Sequence, residues 1–213
     1  MQRNPAPDSE LASWCAAVRR AVERRLESAT GDGFGESLEP YSADATVGTP
    51  PLIVLFAGRQ LADDRRSALA SATAVEFARL HLRTHADLRR DEGEGLAPER
   101  PLLEGDLYRS LATRCLIDAE TTTRRRVRAV AILSNTVLRA LEEVSAKTDR
   151  TTGGAIESTL RDGAVRLGSV LYGLSDEQRG TLRDEATRLL SDVDRRPSGE
   201  GEVGGAGDEW SAD

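Results

Sequence analysis

Apolar residues recur at helical spacing along most of this chain, and this pattern constrains the fold more than any single motif. The first such run places apolar residues three or four apart at Leu11, Trp14, Val18, Val22 and Leu26. That spacing puts the side chains on one face of an α-helix. Aromatic residues make up only 4% of the chain, which disfavours a β-sandwich or barrel. The sequence therefore predicts an all-α fold, a single-domain antiparallel helical bundle.

Glycine, proline and acidic residues mark the predicted boundaries of this bundle. We expect a disordered N-terminus over residues 1–8, a helical domain over 9–194 and a disordered acidic tail over 195–213. Glycines and prolines also predict loops over 30–51 and 91–101. The predicted helices are Asp8 or Ser9 to Ala29, Leu52–Arg59, Leu61–Ala74, a segment from Glu76 through His85 to Arg90, Leu102–Ala119, Thr121–Ala146, Ala155–Tyr172 and Asp176–Asp194.

The clearest helix boundary in the sequence lies at Ser175. Its hydroxyl is followed by Asp176 and Glu177, and Gln178 stands three residues later. In a capping box the Ser side chain bonds the amide of the third following residue, whose side chain bonds back to the Ser amide. We expect the last helix to begin with this motif.

Charge, cysteine content and hydropathy limit the classes of partner. The formal net charge is -7 and the pI is about 5.1, which disfavours nucleic-acid binding. Cys15 and Cys115 lie far apart and fit no metal-ligand spacing, so we expect two core thiols in a reducing, cytoplasmic compartment. The most apolar run, Leu52 to Ala57, is too short to span a bilayer. We expect no transmembrane segment.

Two short motifs in the middle of the chain suggest a family. Ala74-Val75-Glu76-Phe77 leads to His85-Ala86-Asp87, and Leu103-Glu104-Gly105-Asp106 leads to Ala112. This order and spacing resembles the trans-prenyl diphosphate synthase (polyprenyl synthetase) family. There, a similar run leads to a His-Asp-Asp-Ile-x-Asp motif, and Leu-x-Gly-Asp-x-Leu-x-x-x-Ala opens the next long helix. The resemblance extends from Thr46 to Asp194 and implies a bundle of the isoprenoid-synthase type.

The chain departs from that family wherever the family binds metal or diphosphate. Ala86 and Arg90 stand in place of the first and last aspartates of the motif, which leaves Asp87 alone. Magnesium takes several oxygen ligands, so one aspartate is a weak metal candidate. Glu157 stands where the resemblance implies a threonine of a Lys-Thr pair, and Asp192 and Asp194 replace the second acidic motif poorly. We therefore expect a degenerate, C-terminally shortened member.

These losses favour a non-catalytic role. The resemblance implies a regulatory or partner subunit in isoprenoid biosynthesis, whose partner is a catalytic prenyl synthase or a second copy of the same chain. One alternative is an active prenyltransferase with a reduced magnesium site built from Asp87, Asp106 and nearby arginines. Another is a helical scaffold whose cavity binds an isoprenoid or other lipid. Whether side chains such as Phe77, Leu80 and Leu133 fill that interior is left open.

The candidate remnant site therefore consists of six residues: His85, Asp87, Arg89, Arg90, Gly105 and Asp106. His81 and His85 are four apart and could bind a transition metal with Asp87 or Glu76. We favour the alternative, in which the two histidines are packed inside the bundle. Asp106 is expected to cap or pair at a helix start. The basic run is expected to form a solvated face with local ion pairs: Arg124, Arg125, Arg126 and Arg128.

Overall fold

The computed structural model describes residues 8–34, 47–91, 99–146 and 152–194. These residues form seven α-helices: α1 (Asp8–Phe34), α2 (Thr49–Phe56), α3 (Arg65–Asp91), α4 (Glu99–Asp118), α5 (Thr123–Ala146), α6 (Thr152–Tyr172) and α7 (Asp176–Asp194). The described part contains no strand. The prediction of an all-α fold is confirmed.

Neighbouring helices run antiparallel, as their paired residues show. Along the α3–α4 contact, Phe77 stacks on Tyr108 with ring centroids 6.2 Å apart. One turn later in α3, the His81 ring bonds Gly105, which lies one turn earlier in α4. Because the partner number falls as the α3 number rises, the two helices are antiparallel. The sequence prediction of an antiparallel bundle is confirmed.

The centre of the bundle is formed by α2 and α3. Every residue of α2 is buried, as expected for a short helix that is apolar on all sides. Pro50 and Pro51 occupy its first turn, where a missing amide hydrogen costs no helical bond. The prediction that both prolines belong to a loop was therefore wrong. The long α3 contacts α1, α2, α4, α5 and α6.

The predicted helix over Leu61–Ala74 begins too early, because the observed helix starts at Arg65. A π-helical turn, Ala57–Leu61, follows α2, and Asp63 then adopts a positive φ of 53°. Asp64 then caps the start of α3, because its Oδ1 accepts a hydrogen bond from the Ser67 amide at 3.0 Å. Residues after this break belong to α3, which continues through Glu76 and His85 to Asp91. The predicted end near Arg90 is close to the observed one.

Other helix ends differ from the prediction by a few residues. Gly31 and Gly33 do not end α1, which continues to Phe34. Likewise α4 begins at Glu99 rather than Leu102, and α6 begins at Thr152 rather than Ala155. By contrast, α7 begins where the capping box predicts. The Ser175 amide donates to Gln178 Oε1 at 2.9 Å and the Gln178 amide donates to Ser175 Oγ at 3.2 Å.

Side chains fill most of the interior. Phe77 and Leu133 are buried, whereas Leu80 is only partly buried. Cys115 is buried in the core, and Cys15 is partly buried and packs against it. In the described ranges no helix combines the length and apolar character needed to cross a bilayer. Predictions for residues 1–7 and 195–213 lie outside the described residues.

Candidate functional site

A buried ion pair lies on α3 at the position of the Ala-Val-Glu motif. Glu76 is 0% exposed and Arg79 is 3% exposed. Arg79 Nε donates to Glu76 Oε2 at 2.9 Å, and its Nη2 donates to Oε1 at 2.5 Å. This two-bond geometry is the strongest form of an arginine–carboxylate interaction. The Arg79 charge is therefore neutralised within its own helix.

A second carboxylate reaches the same guanidinium from α6. Glu157 Oε1 lies 3.6 Å from Arg79 Nη1, and the Gly48 amide before α2 donates to Glu76 Oε2 at 3.4 Å. Burial raises the pKa of Glu157 and the Glu76 charge adds to this effect, while Arg79 opposes it. Gly48, Glu76, Arg79 and Glu157 are called here the buried charge cluster. It contains two carboxylates around one cation.

Only glycine fits at position 48 in this cluster. A Cβ there would lie 2.6 Å from Arg79 Cδ and 2.9 Å from Arg79 Nε, closer than side chains pack. The Arg79 side chain thus occupies the space that the glycine leaves. The Arg79 guanidinium is therefore engaged by the acids of the cluster.

The two histidines are packed against each other beneath α4. Their ring centroids lie 4.5 Å apart in an edge-to-face arrangement. His81 Nδ1 is 2.9 Å from the Gly105 carbonyl oxygen. Because a carbonyl can only accept, His81 Nδ1 carries the hydrogen and cannot bind a metal. A Cβ at Gly105 would lie 3.1 Å from His85 Nε2, so this glycine permits the close crossing of α3 and α4.

Burial favours the neutral form of both histidines by lowering their pKa values. It lowers the pKa of His81, with His85 and Arg109 adding to the effect and the Gly105 carbonyl and Asp106 opposing it. Burial also lowers the pKa of His85, against the attraction of Asp106. The favoured interpretation of the pair as packed residues therefore agrees with the geometry.

The other members of the candidate remnant site differ in how far their side chains are exposed to solvent. His85 is half-buried, whereas Asp87 and Asp106 are exposed. Asp106 lies in the second turn of α4, so its expected position at a helix start was wrong. Arg89 and Arg90 belong to the last turns of α3, but their side chains lie outside the described part of the structure. Within that part, no three His, Cys, Asp or Glu side chains come together as metal ligands would.

An apolar cavity lies between α3, α4 and α5. Its lining includes Ala78 and His81 of α3, Leu116 of α4 and Leu133 of α5. The volume is about 80 Å³, roughly half of the ~150 Å³ that accommodates a benzene molecule. A long isoprenoid chain would therefore need side chains to move before it could enter.

The α4 and α5 helices, which also line this cavity, carry large exposed apolar side chains. Leu103 and Ile117 of α4 are 59% and 51% exposed, and Val127 and Leu138 of α5 are 63% and 56% exposed. Each pair is spaced so that both members share one helix face. These four residues are called the α4–α5 apolar face. Contiguous exposed apolar side chains mark interaction sites, so these four residues are candidates for one.

The buried charge cluster was missed by the sequence analysis. Glu76 was considered only as a possible metal ligand, and Arg79 was not singled out. The spacing of Glu76 and Arg79, three residues apart on a helix, does indicate a local ion pair. Nothing local, however, connects either residue with Glu157, which is about eighty positions away along the chain.

Comparison with solved structures identifies the fold. A mint deletion mutant of heterotetrameric geranyl pyrophosphate synthase in complex with ligands matches with 21% identity over 85% of this chain and 83% of that chain, at a TM-score of 0.56. The geranyl diphosphate synthase small subunit from Antirrhinum majus matches with 19% identity over 87% and 86%, at a TM-score of 0.61.

A solved structure that is described as a synthetase also matches this chain. The geranylgeranyl pyrophosphate synthetase from the archaeon Geoglobus acetivorans matches with 18% identity over 83% of this chain and 65% of that chain, at a TM-score of 0.59. No protein-family model and no curated protein sequence matches the chain. The chain has the all-α fold of the trans-prenyl diphosphate synthases, as the sequence resemblance implied.

Proposed function

We propose that this chain is a non-catalytic subunit that binds a catalytic prenyl diphosphate synthase of its own fold and changes that enzyme's product length or stability. The observation that supports this most strongly is the buried charge cluster. In a catalytic site, cations must be available for an anionic substrate. Here Glu76 and Glu157 both face the Arg79 guanidinium.

The first acidic motif supports the same proposal. Asp87 and Asp106 are exposed, and the neighbouring His81 uses Nδ1 on a backbone carbonyl. Magnesium requires several oxygen ligands from converging groups. The alternative of an active prenyltransferase would need Asp87 and Asp106 to hold magnesium largely through water.

The α4–α5 apolar face is the proposed docking surface for the partner. Two of the solved structures with this fold are described as a heterotetrameric synthase and as a synthase small subunit. A partner that shares the fold would offer helices of similar length. Covering Leu103, Ile117, Val127 and Leu138 would remove from water the most exposed apolar side chains of α4 and α5.

The proposal is tested by mixing the purified chain with a catalytic prenyl synthase from the same organism and measuring the mass of the complex by light scattering. We expect a complex that Val127→Asp with Leu138→Asp disrupts. A charge placed in an apolar interface costs about 2 kcal/mol or more, so affinity should fall at least about tenfold. Ala12→Asp, at an exposed position of α1, is the matched control.

The outcomes separate the possible partners. Two chains in one particle without any synthase would show that the face joins copies of this chain, and the proposed partner would be wrong. No association with the synthase would also contradict the proposal, as would equal weakening by Ala12→Asp.

A scaffold that binds lipid in its interior is a weaker second candidate. The cavity of about 80 Å³ between α3, α4 and α5 is the feature that favours it. Native mass spectrometry of gently purified protein tests it directly. An added mass equal to an isoprenoid would support this candidate, and the bare chain mass would contradict it.

A further inference from the structure

Six arginines line one continuous depression on the outside of the bundle, and none of them belongs to the candidate remnant site. They come from three helices: Arg124, Arg125 and Arg128 of α5, Arg166 of α6, and Arg179 and Arg183 of α7. The depression consists of two adjoining parts with volumes of about 450 and 410 Å³. Both parts are lined by Arg128, Ser169, Val170 and Arg179. This surface is called the arginine groove.

Acids lie near parts of the arginine groove: Asp176 and Glu177 are in the first turn of α7, and Glu143 and Asp162 line a neighbouring depression with Arg166. Among the described residues, Arg179 pairs with the exposed Asp176. Among the described acids, no ion-pair partner is recorded for the other five arginines. The local ion pairs that the sequence suggested for Arg124, Arg125 and Arg128 are therefore not found. A concentrated positive surface on a chain with net charge -7 indicates an anionic ligand.

The Arg126 side chain bonds backbone carbonyls, unlike its neighbours in the basic run, which line the arginine groove. Its Nη2 donates to the Ala119 carbonyl at 3.2 Å and to the Thr121 carbonyl at 3.4 Å. It therefore binds the end of α4 and the link to α5. The run does not form one solvated face, because it contributes one structural arginine and three groove arginines.

Backbone geometry helps to place the groove arginines. Gly173 has a φ of +62° after the end of α6, and the Leu174 amide donates to the Ser169 carbonyl at 3.1 Å. This is the hydrogen bond of a Schellman cap. A Cβ at Gly173 would overlap the guanidinium of Arg125. The same glycine thus ends α6 and makes room for Arg125.

Two helices also begin beside the groove. The first turns of α5 and α7 lie at this end of the bundle, and Arg124, Arg125 and Arg179 belong to those turns. Helix N-termini carry partial positive charge, which adds to the charge of the side chains. The floor is apolar in part, with Ile132, Val165 and Val170 among its residues.

We propose that the arginine groove binds a ligand that carries two or more phosphoryl groups. The planar guanidinium group matches phosphate oxygens with paired hydrogen bonds. Arginines from three helices can reach more than one phosphoryl group at once. The apolar floor suits a ligand with a hydrocarbon part next to its phosphates. The ligand is either a free diphosphate compound or the phosphorylated headgroup of a lipid.

Calorimetric titration of the full chain with inorganic pyrophosphate tests the site. We expect binding that weakens as salt is added, because salt screens exposed charges. Arg128→Gln with Arg183→Gln should weaken it by roughly tenfold or more, because each change removes a guanidinium that forms charge-assisted hydrogen bonds with phosphate. Arg20→Gln with Arg65→Gln is the control, because it removes the same charge from exposed positions on α1 and α3.

A second arm separates the two sources of the ligand. Vesicles with phosphorylated-inositol lipids are compared with neutral phosphatidylcholine vesicles. Binding of pyrophosphate alone supports the proposal with a free ligand, and vesicle binding lost in the groove variant supports it with a lipid headgroup. Binding of neither probe overturns the proposal. Equal weakening by the control also overturns it, because the effect would then reflect net charge alone. Neither result bears on the complex with a synthase.

Discussion

Arginine side chains have opposite surroundings in the buried charge cluster and in the arginine groove. In the cluster, two carboxylates face one guanidinium, and a backbone amide bonds one of those carboxylates. In the groove, six guanidiniums line an open depression with one paired acid among the described residues. A charge that is satisfied internally stabilises or positions the fold, whereas an unbalanced charge at a surface is available for binding. We therefore expect ligand binding at the surface of the bundle rather than at the buried charge cluster.

The largest effect is expected from removing the buried carboxylate. Glu76→Ala leaves Arg79 buried with only the partly exposed Glu157 nearby. An uncompensated buried charge costs about 3–5 kcal/mol of unfolding free energy. Urea unfolding followed by circular dichroism measures the loss. A second variant, Glu157→Gln, should cost much less, because Glu157 is partly exposed and its Oε1 lies 3.6 Å from Arg79 Nη1. Equal losses in the two variants would contradict the account.

A smaller loss is expected when the cluster is overfilled. Gly48→Ala places a Cβ 2.6 Å from Arg79 Cδ, and overpacking of this kind costs about 1–3 kcal/mol. Gly180→Ala in α7 is the control, because a Cβ there has no neighbour within 4 Å. That control should gain roughly 0.5–1 kcal/mol from the higher helix propensity of alanine. Thermal unfolding of the two variants should therefore shift in opposite directions.

A pH-dependent loss of stability is expected from the packed histidines. Burial lowers the pKa of His81 below its ordinary value of 6.5, so the unfolded chain binds the proton more readily. Stability is then complete above that value and decreases as the pH falls through it. Unfolding at about pH 7.5 and about pH 5.5 should show a larger loss for the wild type than for His81→Asn, which keeps a donor near Nδ1. An equal loss would show that His81 is not involved.

The smallest effect on stability is expected in the arginine groove. Arg128→Gln removes an exposed charge with no ion-pair partner among the described acids. Surface changes of this kind alter the free energy of unfolding by less than about 0.5 kcal/mol. A loss of several kcal/mol would show that the groove charges hold the fold together, and the contrast with the buried cluster would disappear.

Local patterns predicted those parts of the structure that depend on local chemistry. The capping box at Ser175 and Gln178 was predicted correctly, because both hydrogen bonds join residues three apart. The antiparallel all-α bundle followed from helical spacing and from the resemblance in the Glu76 to Ala112 region. The packed state of His81 and His85 was also the favoured interpretation.

Features that depend on contacts between distant residues were not predicted. The π-helical turn and the break at Asp63 overlap the two predicted helices Leu52–Arg59 and Leu61–Ala74. Glycines alone wrongly placed the end of α1, because helix propensity is a weak local preference. The pairing of Arg79 with Glu157 and the meeting of arginines from α5, α6 and α7 arise only when the bundle assembles. The function of those arginines therefore had no signature within any one segment.

The most direct test of the account is the magnesium-dependent conversion of an allylic diphosphate, measured for this chain alone, for a catalytic prenyl synthase from the same organism, and for the two together. We expect no product from the chain alone, and a changed product length or a longer-lived activity when it accompanies the synthase. Product from the chain alone, lost in Asp87→Ala, would contradict the proposed non-catalytic role.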